Sequence, residues 1–246
     1  MLHGAGRLIA RQRCIACGVL VLLVAGDLLA QPKIVKQPFK FIGRDVTVTA
    51  PEVIEEGGTF PKGPAASICI EGPPQQQCYT AYNEENSVFD YGINPTVRVI
   101  RVDKYTSALL FSATSGGVSG TATRFVLLRP GSGTELRNLF PDISISDLSQ
   151  QTLWNNASIS DAPIFLTAEE LYGPDETHHS PHRYKISAYI RRRSPSPEDS
   201  FYFLADQFMT TRKYLIEPEG GKVNILNSEK QEILARLRRV KAESRR

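Results

Sequence analysis

Tyr172-Gly-Pro-Asp-Glu-Thr-His-His-Ser-Pro-His-Arg-Tyr-Lys-Ile-Ser-Ala-Tyr-Ile190 opens as a turn and closes as the clearest strand in the chain. From His182 onward, Tyr184, Ile186, Ala188 and Ile190 fall on one face. Arg183, Lys185, Ser187, Tyr189 and Arg191 fall on the other. Period-2 alternation of this kind predicts a strand with one buried and one wet face. Arg193-Ser-Pro-Ser-Pro-Glu-Asp-Ser200 reads as an exposed connection, and Phe201 to Thr211 returns as a second strand. This second strand is apolar on both faces at its start, which predicts a central position. Together they predict a long antiparallel hairpin.

The same grammar extends through the middle of the chain. Thr96–Asp103, Ser107–Ser112 and Thr121–Arg129 are short apolar or alternating runs, bounded by glycine and proline. Their spacing of about 8–12 residues is that of an antiparallel sandwich, barrel or propeller-like sheet. Asp45–Ala50 is a β-branched strand, and Ala66–Glu71 and Cys78–Tyr82 flank a turn at Gly72-Pro-Pro74. Glu135–Phe140 reads as a helical turn, Ile164–Leu171 fits either a short helix or a strand, and Lys222–Leu226 reads as a last strand. Trp154, the single tryptophan, is expected in the core. A C-terminal amphipathic helix follows. Ser228 and Gln231 have capping-box spacing, and Ile233, Leu234, Leu237 and Val240 form a narrow apolar stripe. The fold expectation is therefore mainly β with one terminal helix.

Residues 1–30 read as a secretory signal peptide: Arg7, Arg11 and Arg13, an apolar run from Cys14 to Gly26, and Leu28-Leu-Ala30 as a cleavage site. The run is shorter than the roughly 20 residues of a membrane span, so no stable span is expected after its removal. Residues 31–246 then form one β-rich domain, in which 31–95 can make an N-terminal subregion with its own disulfide hairpin. The secreted or periplasmic location this implies is oxidising, which predicts that Cys69 and Cys78 pair. The formal charge is +3, and removing residues 1–30 leaves +1. That balance supplies no field for nucleic acid, so a nucleic-acid partner is not expected.

The turn at 175–182 carries the chemistry. It holds His178, His179 and His182 beside Glu176, which could supply most of a tetrahedral zinc site. The opposing expectation is a polar turn whose histidines bond to neighbours, because the spacing fits no H-E-x-x-H motif. Gly117-Val-Ser-Gly-Thr121 misses the last glycine of a nucleophile elbow, and a strand follows where the motif needs a helix. The pairs Glu55-Glu56, Glu84-Glu85 and Glu169-Glu170 read as solvated carboxylates. Aromatics from Tyr184 to Tyr214 lie among arginines. This makes Tyr189, Tyr202, Arg191 and Arg193 candidates for contact with an envelope protein or polymer. With no catalytic motif in a fitting context, the expectation is a non-enzymatic binding module acting through residues 172–214. The alternative is a zinc-binding protein or metal-dependent hydrolase at 175–182; otherwise no cofactor is expected.

Overall fold

The structure is a computed structural model. It describes residues 33–50, 65–82, 91–115, 121–131, 133–146, 149–177, 179–192, 194, 200–215 and 223–243, with side chains from residue 40 onward. The predicted signal peptide, the Gly117–Ser119 loop, His178 and Arg193 lie outside these residues.

Thirteen strands build three antiparallel sheets among the described residues. The first sheet holds β1 (Lys33–Phe41), β2 (Arg44–Ala50), β3 (Ser67–Ile70) and β4 (Gln77–Thr80), in that order. The second runs β5 (Tyr91–Arg101), β6 (Ser107–Ser115), β7 (Ala122–Pro130), β8 (Leu136–Asn138), with β9 (Ile143–Ser146) also on β7. The third runs β10 (Gln150–Trp154), β11 (Ile164–Leu171), β12 (Arg183–Arg192), β13 (Phe201–Met209). Two helices follow, α1 (Ile225–Ser228) and α2 (Lys230–Glu243). The fold is mainly β and sandwich-like, as the spacing of the runs predicts, and it is not a closed barrel.

The layers follow from strand parity. On β6, Leu109, Phe111 and Ala113 point to a core shared with Val46, Val48, Ile68 and Ile70 of the first sheet. Ala108 and Leu110 point the other way, to a core shared with Leu153, Phe165 and Tyr202 of the third. Ile164, Leu166, Tyr184 and Ile186 on the far face of the third sheet meet Ile225, Leu226, Ile233 and Leu237 of the helices. Sheet, sheet, sheet and helix thus stack as four layers, and β6 and β7 of the second sheet are buried on both faces. That explains why β6 and β7 are continuous apolar runs and not alternating ones.

Three local expectations are corrected, and the choice left open at Ile164–Leu171 is decided. Glu135–Phe140 contains β8, because Leu136–Asn138 pairs with Leu128–Pro130. Ile164–Leu171 is a strand throughout, paired on both sides. β13 is an edge strand, since its second neighbour is α2 and not a strand. The segment expected as a last strand contributes Ile225–Ser228 as helix, with Asn224 capping by accepting the Asn227 N–H at 2.9 Å. Trp154 is half-buried against the third core, with Lys230 over its ring at 5.6 Å.

Cys69 and Cys78 form a disulfide between directly paired positions of β3 and β4. Arg44 clamps the turn that they close. Its guanidinium donates to the carbonyls of Glu71 at 2.8 Å, Ile70 at 3.0 Å and Gly72 at 2.9 Å, and to that of Gln75. The bridge spans a separation of 9 residues. Reduction should therefore lower the unfolding free energy by about 2–3 kcal/mol on loop entropy. Urea denaturation with and without dithiothreitol measures it, and a Cys69→Ala, Cys78→Ala variant should match the reduced chain.

Candidate functional site

Parity also builds the 170–182 cluster. Ile164, Leu166 and Ala168 put one face of β11 into the helix-side core, and Glu170 continues that face. Tyr184 and Ile186 do the same for β12, and His182 continues it toward the N-terminus. A carboxylate and an imidazole are therefore carried inward by strands whose phase is set by their apolar residues. His182 is 1% exposed, and its backbone is fixed by bonds in both directions with Tyr214, at 2.8 and 2.7 Å.

Each ring nitrogen of His182 faces a carboxylate. Nδ1 lies 3.1 Å from Glu176 Oε2, and Nε2 lies 3.4 Å from Glu170 Oε1. A neutral imidazole has one N–H, so only the imidazolium can donate toward both. Tyr172 donates its hydroxyl to Glu170 Oε2 at 2.9 Å, and its ring lies 4.6 Å from the imidazole, tilted by 59°. Glu176 accepts from the Gly173 N–H at 2.7 Å and from Lys213 Nζ at 2.5 Å. Two carboxylates thus face one imidazole and one ammonium. Gly173 is also needed for space, as a Cβ there would sit 3.1 Å from Glu176 Cδ.

The hydrogen bond from Lys213, with those from the Gly173 N–H and His182, holds the Glu176 carboxyl at about 2, below its ordinary 4.5. A depressed carboxyl stabilises the fold above its ordinary value and loses that contribution as pH falls toward the folded one. The urea midpoint should therefore decline between pH 4.5 and pH 2. Lys213→Met should flatten this decline, read from denaturation curves at stepped pH.

Of the histidines expected to share one metal, the structure describes His179 and His182, and it places them in different surroundings. His179 is exposed in the turn, whereas His182 is buried with its two carboxylates on opposite edges of the ring. An ion about 2.1 Å from either nitrogen would meet one of these carboxylates and not the other. Among the described residues, no three histidine, cysteine, aspartate or glutamate side chains form a group that could hold a metal ion. Glu170, Tyr172 and Lys213 complete the cluster and were not singled out by sequence reasoning as partners of His182. Glu169 pairs with Lys185 near the surface, so of the two neighbouring glutamates only Glu169 matches the solvated expectation.

Of the proposed contact residues, Tyr189, Tyr202 and Arg191 are turned inward, and Arg193 lies outside the described residues. Tyr202 is 2% exposed, with its ring 4.9 Å from Phe140, and Tyr189 is half-buried against Phe165. The face of β12 expected to be wet is turned toward the second sheet. There Ser187 is buried and accepts from Gln207 at 2.9 Å. Arg191, its side chain 6% exposed, donates to Asp103 across the two sheets. Clustered exposure of these rings and guanidinium groups is not what the fold provides.

What Arg191 reaches is an open feature. Asp103 begins the β5–β6 turn and accepts the Tyr105 N–H at 2.9 Å, while the Val102 and Asp103 N–H groups donate to Thr106 O at 2.8 and 3.2 Å. Burial pushes the Asp103 carboxyl up, but hydrogen bonds from Arg191, the Tyr105 N–H and Thr106 outweigh it and hold the group at about 2. The turn is tied down at its base, yet Tyr105 at its tip is 87% exposed, with Lys104 Nζ 5.1 Å from the ring centre. Beside it lies a cleft of about 640 Å³. Val99, Ile100 and Arg101 of β5 form one wall, and Leu153, Asn155 and Pro163 at the end of β10 and the following loop form the other. Among the described residues no helix is long and apolar enough to cross a membrane. Comparison with known proteins gives no match to a family model, a curated protein or a solved structure.

Proposed function

We propose that the chain is a non-enzymatic binding module of a secreted or periplasmic compartment, and that its contact surface is the cleft between β5 and β10 with the Tyr105 turn beside it. The 182–209 hairpin serves this surface from behind: Arg191 fixes Asp103, and Asp103 fixes the turn. One observation carries the reading. A large aromatic side chain is held outward on a hydrogen-bonded turn, next to a concave surface with apolar walls. A pre-ordered aromatic loses little entropy on contact, and anchors of this kind dominate interface energetics. The Cys69–Cys78 disulfide supports an oxidising compartment.

The test replaces Tyr105 with the photo-crosslinker p-benzoylphenylalanine and irradiates the purified chain in the exported protein fraction of its source cells. A discrete adduct is expected, and its yield should fall at least fivefold when Val99→Arg fills the cleft. No adduct, or an adduct indifferent to Val99→Arg, would reject the cleft as the contact surface.

A further inference from the structure

We infer that the cleft takes an extended acidic peptide segment, added as a strand to the outer edge of β5. This rests on the binding reading above and specifies its occupant. Consecutive residues of a strand point to opposite faces. Val99, Ile100 and Arg101 are consecutive, yet all three line one cleft. Only the strand's edge is common to both of its faces, so the cleft runs along the backbone of β5. Residues 96–101 pair with β6 on one side, and among the described residues no strand pairs with them on the other. Alternate N–H and C=O groups along this side are therefore presented outward, over a length of about 20 Å.

The opposite wall fits a missing strand. Leu153 of β10 and Asn155 just beyond its end both line the cleft, and Leu153 packs against the core between the second and third sheets. All five residues of β10 are only half-buried, whereas its neighbour β11 is almost wholly buried. One more strand beside β5 would extend the second sheet over β10 and bury Leu153 together with Val99, which is 49% exposed.

Charge selects the occupant. Arg98, Arg101 and Lys104 are exposed along this edge. Of the two carboxylates that line the cleft, Asp103 and Asp161, Asp103 is engaged by Arg191. A second copy of β5 laid along the edge would bring arginines against arginines, which is unfavourable between paired strands. Arg98 and Ile100 share one face of β5, and Val99 and Arg101 the other, so a segment alternating glutamate or aspartate with valine, isoleucine or leucine sets carboxylates beside the arginine of one face and apolar side chains beside the aliphatic residue of the other.

The experiment uses the full disulfide-bonded chain and three synthetic ten-residue probes: alternating glutamate and valine, alternating lysine and valine, and the glutamate peptide with two central prolines. Fluorescence anisotropy reads affinity, and hydrogen exchange reads protection of the amides in 96–101. The glutamate peptide should bind and slow exchange of β5, the proline peptide should bind at least tenfold more weakly, and the lysine peptide should not bind. Arg98→Glu with Arg101→Glu should weaken the glutamate peptide at least tenfold, while Arg238→Glu on α2 should leave it unchanged. Binding without protection of β5, equal binding of the three peptides, or no binding would overturn the inference. If crosslinking from Tyr105 still yields a Val99-dependent adduct in those cases, the cleft remains the contact surface and only its occupant is wrong. Loss of both results rejects both.

Discussion

Replacing His182 with leucine should lower the unfolding free energy by about 1–3 kcal/mol, the usual cost of leaving a buried polar group without its partner. The side chains of His182 and Glu170 are 2% and 4% exposed, so leucine would leave the Glu170 carboxylate in the core with Tyr172 as its remaining recorded donor. The second half of the experiment separates charge from shape. Adding Glu170→Leu removes the stranded carboxylate, and the double variant should recover much of the loss, because apolar replacements of a whole buried pair are often neutral. Urea denaturation followed by the fluorescence of Trp154, the single tryptophan, measures both. A single-variant cost below about 1 kcal/mol, or a double variant no better than the single, would show that the two groups do not act as a coupled buried pair.

The second large effect is expected at Arg191. Arg191→Met keeps the side chain's length but withdraws the guanidinium from Asp103, and it should cost about 3 kcal/mol. Its local consequence is more telling than its size. Asp103 organises the turn below Tyr105, so amide exchange across 102–106 should accelerate well beyond the global change in stability. Acid dependence should change too. Held at about 2 instead of its ordinary 3.8, the Asp103 carboxyl stabilises the fold above 3.8, and that contribution fades as pH falls toward 2. In Arg191→Met this acid-labile part should shrink. Unchanged exchange in the turn would mean that the backbone alone holds it.

Much of the architecture is legible in the alternation of side chains. The disulfide follows from two cysteines around Gly72-Pro-Pro74, the strand β12 from its period-2 pattern, and the stripe on α2 from Ile233, Leu234 and Leu237. Misreadings occur where one strand's pattern is compatible with two neighbours. β13 looks central because Phe201, Tyr202 and Phe203 are all apolar, but a helix covers one side of the strand beyond its bulge and its other edge is bare of strands. At the histidine cluster, proximity in sequence is the wrong measure and phase is the right one. His182 is in step with Tyr184 and Ile186 and goes into the core, whereas His179 belongs to the turn and stays outside. Glu170 could have been found in the same way, in step with Leu166 and Ala168. Lys213 and Asp103 could not, since each meets its partner only through the stacking of distant segments.

The double burial of β6 and β7 bears on how the chain reaches this state. Ala108–Phe111 and Phe125–Leu128 contain no charged residue, and the strands carrying them need apolar cover on both sides. One cover comes from residues 41–81 and the other largely from residues 153–202, so it is assembled from both directions along the chain. Until both have docked, these segments present an uncharged, leucine-rich and aromatic surface of the kind that templates cross-β association. The most deeply protected part of the finished molecule is therefore the part most exposed to aggregation while it is being made.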